Sequence, residues 1–487
     1  MTVAEPGFAE LRRRLGEVDD LRKAAWVLHW DLETMMPSAG ADVRAEQLGT
    51  LAGIAHERFT ADELGELLEA LRGYENDLDY ESDEASLIRV ARRDYERARR
   101  VPAELRAEMV RAGAHGNQAW RRAREANDYA VFRPALERNL ELQGRYIECL
   151  DGSADPYDVL VAEYEPGLTT ADIAAVFERL RDELTPLVTA LEPPDDAPLD
   201  LGLSADQRRS TVATLLERLG FEREWGRFDN SVHPFMVNFG TSDIRLTVYE
   251  EGDLRALYAA LHEFGHGLYE RGVSPTLERT PLAQGASGAL HESQSLLWEN
   301  LVGRSHAFCG WFAGLLGGIE PASLHRAANR IERSLIRVDA DPVTYSLHIV
   351  FRFELERELV SGSLAAADLR DAWNARVAAY LGLAAPDDLH GVLQDMHWSD
   401  MLMGYFPSYA LGHVASAQIW ERARADLPDV EEQIGRGEFG PLTEWLRERV
   451  HRHGRKFTTP ETLERAVGGM FDPEPLLRYV RGKLESS

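Results

Sequence analysis

Lysine is almost missing from this chain. Of 54 basic residues only Lys23, Lys456 and Lys483 are lysines; the others are arginines. Two readings fit that bias: a GC-rich genome that favours arginine codons, or adaptation to high salt. Positive charge is outweighed overall, because the formal net charge is −28. Such a chain repels phosphate backbones, which excludes nucleic acid as an expected partner. Cysteine is scarce too. Cys149 and Cys309 are the only two, too few for a disulfide framework, and neither belongs to a paired metal motif. Long apolar runs are lacking. The longest stretch, near 311–319, falls short of the roughly 20 residues that a membrane span needs. The opening MTVAEPGFAELRRRLGEVDD has no apolar core of the signal-peptide kind. These absences lead to the expectation of a reduced, cytoplasmic protein with no membrane association.

What is present suits a large folded body. Hydrophobic residues make up 44% and charged residues 28%, so a sizeable core is affordable and disorder is not expected. Most of the chain has helical periodicity. Leu11, Leu15, Val18, Leu21 and Ala25 share one face within 8–33. Helical character continues through 84–124, with Pro102 inside it, and through 130–150 and 170–192, divided by DGSADPYD. Ser204, with Asp206 and Gln207 behind it, predicts a helix start for 205–220. The PPDDAP stretch at 193–198 reads as an exposed loop. Between 226 and 250 aromatic and β-branched residues alternate, which predicts two short strands near 235–239 and 244–249. Helices return at 253–271 and run to the end.

The chemistry is concentrated in DLRALYAALHEFGHGLYE. His262 and His266 are one helical turn apart and share a face. Two imidazoles so placed can bind one zinc ion, and Glu263 between them can act as a base towards water without ligating. A short motif of this size also arises by chance on solvated helices. Here Leu254, Leu257, Tyr258 and Leu261 give the helix an apolar face, so the polar trio is buried and needs partners. Gly265 costs about 1 kcal/mol against alanine, a cost that close approach of another element would justify. A catalytic zinc needs a third protein ligand. The segment ASGALHESQSLLWENLVGR reads as a second helix and offers His291, Glu292 and Glu299. Spacing alone leaves that choice open.

Further blocks settle a resemblance. LHEFGHGLYE with HESQSLLWENLVGRS is similar to the carboxypeptidase Taq family of metallocarboxypeptidases. So are WDLETMMP at 30–37, His233-Pro234-Phe235, DIRLT at 243–247, IRVDAD at 336–341, GVLQDMHWSD at 391–400 and GYFPSYALG at 404–412. Asp400, Met401 and Met403 look less usual for the family. The resemblance implies a mainly α, elongated metallopeptidase fold like neurolysin and the angiotensin-converting enzymes, with a deep central cleft and a small sheet near the active site. One catalytic body over 1–487 is expected, its helical region (about 1–200) and catalytic region (about 201–487) forming the two sides of the cleft. It further implies zinc, replaceable by cobalt, held by His262, His266 and Glu292, with Glu263 as base. It implies a homodimer that removes single residues from peptide C-termini with broad specificity.

Other roles follow from the same blocks. Tyr409 is the favoured second donor to the oxyanion, with His397 and Tyr405 as the other candidates. A free carboxylate suits a planar guanidinium, and the family blocks single out Arg245, Arg337 and Arg352, with Arg337 or Arg352 preferred. Structural ion pairs, Arg245 with Asp243 and Arg337 with Asp339 or Asp341, are the plainer explanation for two of them. His233 lines the cleft or stays a turn histidine. Gln394 and His397 are expected to face the cleft, and DIRLT is expected to be an edge strand that pairs with substrate. An endo-acting oligopeptidase and a vestigial helical scaffold are the competing functions.

Overall fold

The computed structural model describes residues 4–150, 155–194 and 199–486. The DGSADPYD break and the PPDDAP loop lie partly outside the described residues. The architecture is mainly helical with one small sheet. It begins with helix α1 (Ala4–Thr34), whose Leu11, Leu15 and Val18 are buried as the periodicity requires. Pro102 separates Asp83–Arg100 from Ala103–Ala126. Arg133–Leu150 and Thr170–Thr189 follow. Ser204 caps Ala205–Arg218: its hydroxyl accepts from Gln207 N, and the Gln207 side chain accepts in return from Ser204 N.

Three strands come next: β1 (Gly226–Asn230), β2 (Met236–Gly240) and β3 (Asp243–Val248). The sequence pattern predicted the last two and missed β1. The order is β1-β3-β2, with β3 parallel to β1 and antiparallel to β2. This corrects the expectation for DIRLT. It is the central strand, paired on both sides, so its backbone is not free to take up a substrate strand.

Beyond the sheet lie α2 (Asp253–Gly272), α3 (Gly288–Leu296), α4 (Tyr345–Ser361) and α5 (Phe406–Asp426). Leu257, Leu261, Phe264 and Leu268 are the buried stripe of α2. Helix α3 is packed between α2 and α5. A Cβ on Gly265 of α2 would lie 2.4 Å from Gln294 O and 2.7 Å from Ser295 Cα. A Cβ on Gly412 of α5 would lie 2.4 Å from Glu292 Cβ. The cost of glycine inside both helices is thus offset by backbone contact that no side chain would permit. Most of the core is one cluster drawn from Val101 to Val480. A smaller one joins Leu11–Ala91 side chains to the 273–283 segment. The smaller cluster is thus drawn from the first hundred residues and the 273–283 segment. No helix among the described residues is long and apolar enough to cross a membrane.

The packing makes a stability prediction. Gly265→Ala should lower unfolding free energy by about 1–3 kcal/mol, since overpacking outweighs the better helix propensity. Gly310→Ala, in the exposed part of His306–Leu315 with open space at its Cβ, should be neutral or stabilise by up to about 1 kcal/mol. Urea unfolding midpoints measure both, and a raised midpoint for Gly265→Ala would refute the close-packing account.

Candidate metal centre and cleft

A cavity of 1520 Å³ opens in the molecule, and every side chain that lines it belongs to residues 199–409. That volume exceeds the roughly 300–1,000 Å³ of small-molecule pockets and suits a peptide. His262, Glu263 and His266 of α2 line it, as does Glu292 of α3. One donor atom from each of His262, His266 and Glu292 lies within 4.8 Å of the others. His262 Nε2 and Glu292 Oε2 are 3.6 Å apart. Close contact at Gly265 is what brings the Glu292 side chain opposite the two imidazoles.

The spare nitrogen of each imidazole is held from behind. His262 Nδ1 is 2.9 Å from Glu299 Oε2. Glu299 projects from a π-helical turn, Leu297–Val302, that continues α3, and Arg304 Nη2 donates to its other oxygen at 3.0 Å. His266 Nδ1 is 2.7 Å from His291 Nδ1. Of the three candidates on α3 and its π-helical continuation, Glu292 therefore faces the donor cluster, while His291 and Glu299 sit behind the histidines. Outer partners of this kind orient imidazole ligands.

Charge at the site favours a cation. Burial opposes protonation of His262, yet the Glu299 hydrogen bond and the nearby Glu292, Glu299 and Glu263 carboxyls push it up to about 9. Burial raises Glu263 to about 7 against the pull of His262, with Glu292 adding to the rise. Glu263 is buried, and its Oε2 has no hydrogen-bond partner among the described residues. Two imidazoles, one carboxylate and an orphaned carboxyl oxygen beside them fit a divalent metal with a polarised water.

The opposite wall carries Arg337, Tyr345, Tyr405 and Tyr409. Arg337 Nε donates to Asp395 Oδ1 at 2.9 Å, and its guanidinium lies 4.9 Å from the Tyr409 ring centre. Its partner is Asp395, not Asp339 or Asp341. Its two Nη groups have no hydrogen bond to the described residues. Arg352 is fully buried and does not line the cavity. It donates to Asp395 Oδ2 at 2.6 Å, to His348 O at 2.7 Å and to Gln394 Oε1 at 2.7 Å. Asp395 thus holds both guanidiniums; burial works against its charge, but the two arginines keep it far below the usual carboxylate range.

Several expected cleft residues lie elsewhere. Gln394 is turned towards protein: its Oε1 accepts from Arg337 N and its Nε2 donates to Leu335 O and Gly391 O. His397 is buried behind Tyr409, with Nε2 3.1 Å from the Tyr409 hydroxyl. Burial and the positive Arg337 push its pKa down to about 3, so His397 is neutral and its 4.0 Å approach to Asp395 is not an ion pair. Arg245 is paired with Asp243 through Nε at 2.5 Å, beside the Trp30 ring, and does not line the cavity. His233 is exposed at the rim. Asp395 and Tyr345 are the residues that sequence reasoning missed. Asp395 sits inside GVLQDMHWSD, and the signal that could have found it was the need of two buried arginines for a shared carboxylate.

Comparison with known proteins fits this geometry. The family model described as Carboxypeptidase Taq (M32) metallopeptidase matches residues 10–484. Thermostable carboxypeptidase 1 of Thermus thermophilus is 37% identical, covering 93% of each chain. Carboxypeptidase 1 of Bacillus subtilis is 33% identical over 98% of this chain and 97% of its own. The crystal structure of a carboxypeptidase of this family from Deinococcus radiodurans superposes with a TM-score of 0.94 at 40% identity, covering 99% of both chains. The chain belongs to the carboxypeptidase Taq family of metallopeptidases.

Proposed function

We propose that this protein is a zinc-dependent carboxypeptidase that releases single residues of broad identity from peptide C-termini. The observation that carries the reading is one cavity lined by the His262, His266 and Glu292 donor set, by Glu263, and by the open guanidinium edge of Arg337. His262, His266 and Glu292 would hold the metal. Zinc bound there would acidify water and polarise the scissile carbonyl, and cobalt would substitute. Glu263 takes the proton from the attacking water and returns it to the leaving amine. The Tyr409 hydroxyl, oriented by neutral His397, donates to the developing oxyanion, with Tyr405 beside it. Arg337 binds the substrate carboxylate through its Nη groups. Asp395, Gln394 and Arg352 brace Arg337 from behind, and His233 contacts substrate at the rim. Cytoplasmic location and a homodimer are part of the same reading, which rests for both on composition and family resemblance.

Glu263→Gln should keep one zinc per chain by metal analysis while kcat falls by about 10²–10⁴-fold. Retention of the parent rate would exclude Glu263 as the base. Chelation should abolish hydrolysis and added zinc restore it. Mass spectrometry of one unblocked peptide should show a ladder of one-residue losses, and its C-terminal amide should resist. Arg337→Met should raise KM for the free acid and remove most of the preference over the amide. Equal cleavage of acid and amide by the parent would sink the carboxypeptidase reading in favour of an endo-acting one.

A further inference from the structure

The hydrogen bonds behind His266 do not end at His291. His291 Nε2 is 2.8 Å from Glu270 Oε1, which also accepts from Gly285 N at 2.8 Å. The other oxygen of Glu270 accepts from Asn238 Nδ2. Asn238 sits on β2, and its side-chain oxygen and backbone carbonyl both accept from Lys23 Nζ, the latter at 3.2 Å. Glu270 and Asn238 are buried. A continuous path therefore runs from His266 through α3, α2 and β2 to α1.

We propose that Glu270, Asn238 and Lys23 are positioning residues that set the tautomer of His266, so that its Nε2 stays free of a proton and faces the metal. The inference rests on His266 being a metal ligand. Two imidazoles meeting Nδ1 to Nδ1 share one proton, and nothing in that contact decides which ring carries it. Glu270 decides. Its oxygens accept from Gly285 N and Asn238 Nδ2, so His291 Nε2 is the donor in this contact, and in a neutral ring that leaves His291 Nδ1 bare. His266 Nδ1 then donates, and His266 Nε2 keeps its lone pair. Asn238 fixes the far side of Glu270, because its amide nitrogen must face the carboxylate while its oxygen faces the Lys23 ammonium. Every donor in the path points at Glu270, and reversing any one of them sets two donors or two acceptors against each other. Lys23 suits its place because a compact ammonium can lie between two oxygens of one residue, where a planar guanidinium fits poorly.

Zinc affinity, measured by chelator competition on the full chain, tests this without reference to turnover. Glu270→Gln should bind zinc about 10–100-fold more weakly, in the range for outer partners of ligands. The introduced amide cannot accept at both ends, so Asn238 must turn and set its own amide against Lys23. Adding Lys23→Met should relieve that clash and return part of the lost affinity. A purely structural role would give additive losses instead. Lys456→Met, which breaks the Lys456–Asp83 pair away from this path, should leave zinc affinity unchanged. Circular-dichroism melting confirms that each variant is folded. Parent-like affinity of Glu270→Gln, or additive losses in the double variant, overturns the proposal. Failure of the parent itself to bind zinc would instead overturn the reading of the metal site.

Discussion

Everything at the centre depends on how closely α3 approaches its two neighbours. Glu292 is on a nine-residue helix held between Gly265 and Gly412, with backbone nearly touching backbone on one side. Any side chain at either position would move α3 outward, and with it the one carboxylate of the donor set. Protein interiors transmit such displacements because they are packed without slack. The same helix has a second anchor. The Glu165 carboxylate accepts from Ala289 N at 2.6 Å and from Ser408 Oγ at 2.6 Å, tying the start of α3 to α5. Burial pushes Glu165 up to about 7, so the anchor relies on hydrogen bonds more than on full charge. The donor cluster is thus a property of helix packing first and of ligand chemistry second.

That order explains what could be read from the sequence. The HExxH-type spacing on α2 is local, so His262, Glu263 and His266 were legible from periodicity. The glycine at 265 was legible as an oddity, and the structure supplies the neighbour that its cost implied. The choice among His291, Glu292 and Glu299 was not local. It depends on the rotation of α3 about its own axis, which is set by contacts with two helices distant in sequence. The family blocks pointed to Glu292, and the structure places that residue at the donor cluster. Strand identity within 236–248 was legible from alternation, but strand order was not. β1 lacks a run of β-branched residues, and its pairing with β3 made DIRLT central where an edge was expected.

The arginines illustrate the same limit. With 51 of them in the chain, type carries no information, and only partners discriminate. Arg245, Arg337 and Arg352 all come from family blocks, yet their surroundings differ. Arg245 is neutralised by Asp243 beside Trp30, and Arg352 has lost all contact with solvent. Arg337 alone of the three keeps donors towards the cavity.

The charge count around Arg337 gives direction to the chemistry. Arg337 and Arg352 share the single carboxylate of Asp395, and His397 behind them is neutral. Glu356, a further buried carboxyl, accepts from Tyr157, Trp398 and Gly404 and is pushed up to about 7 by burial. Arg337 and Arg352 against the one carboxylate of Asp395 leave that trio with one positive charge in excess, and an unpaired charge in a poorly solvated wall is costly. A peptide with a free C-terminus brings the missing carboxylate, whereas an internal segment or an amide brings only dipoles. If Arg337 receives that carboxylate as proposed, discrimination between them arises from completing a buried charge pair and not merely from adding a hydrogen bond. Sites that depend on a polar partner reject analogues lacking it far more strongly than apolar pockets reject a missing methylene. In the proposed reading the preference for a chain end comes from the two-arginine, one-aspartate cluster, and the His262, His266 and Glu292 donor set alone would not distinguish the end of a chain from its middle.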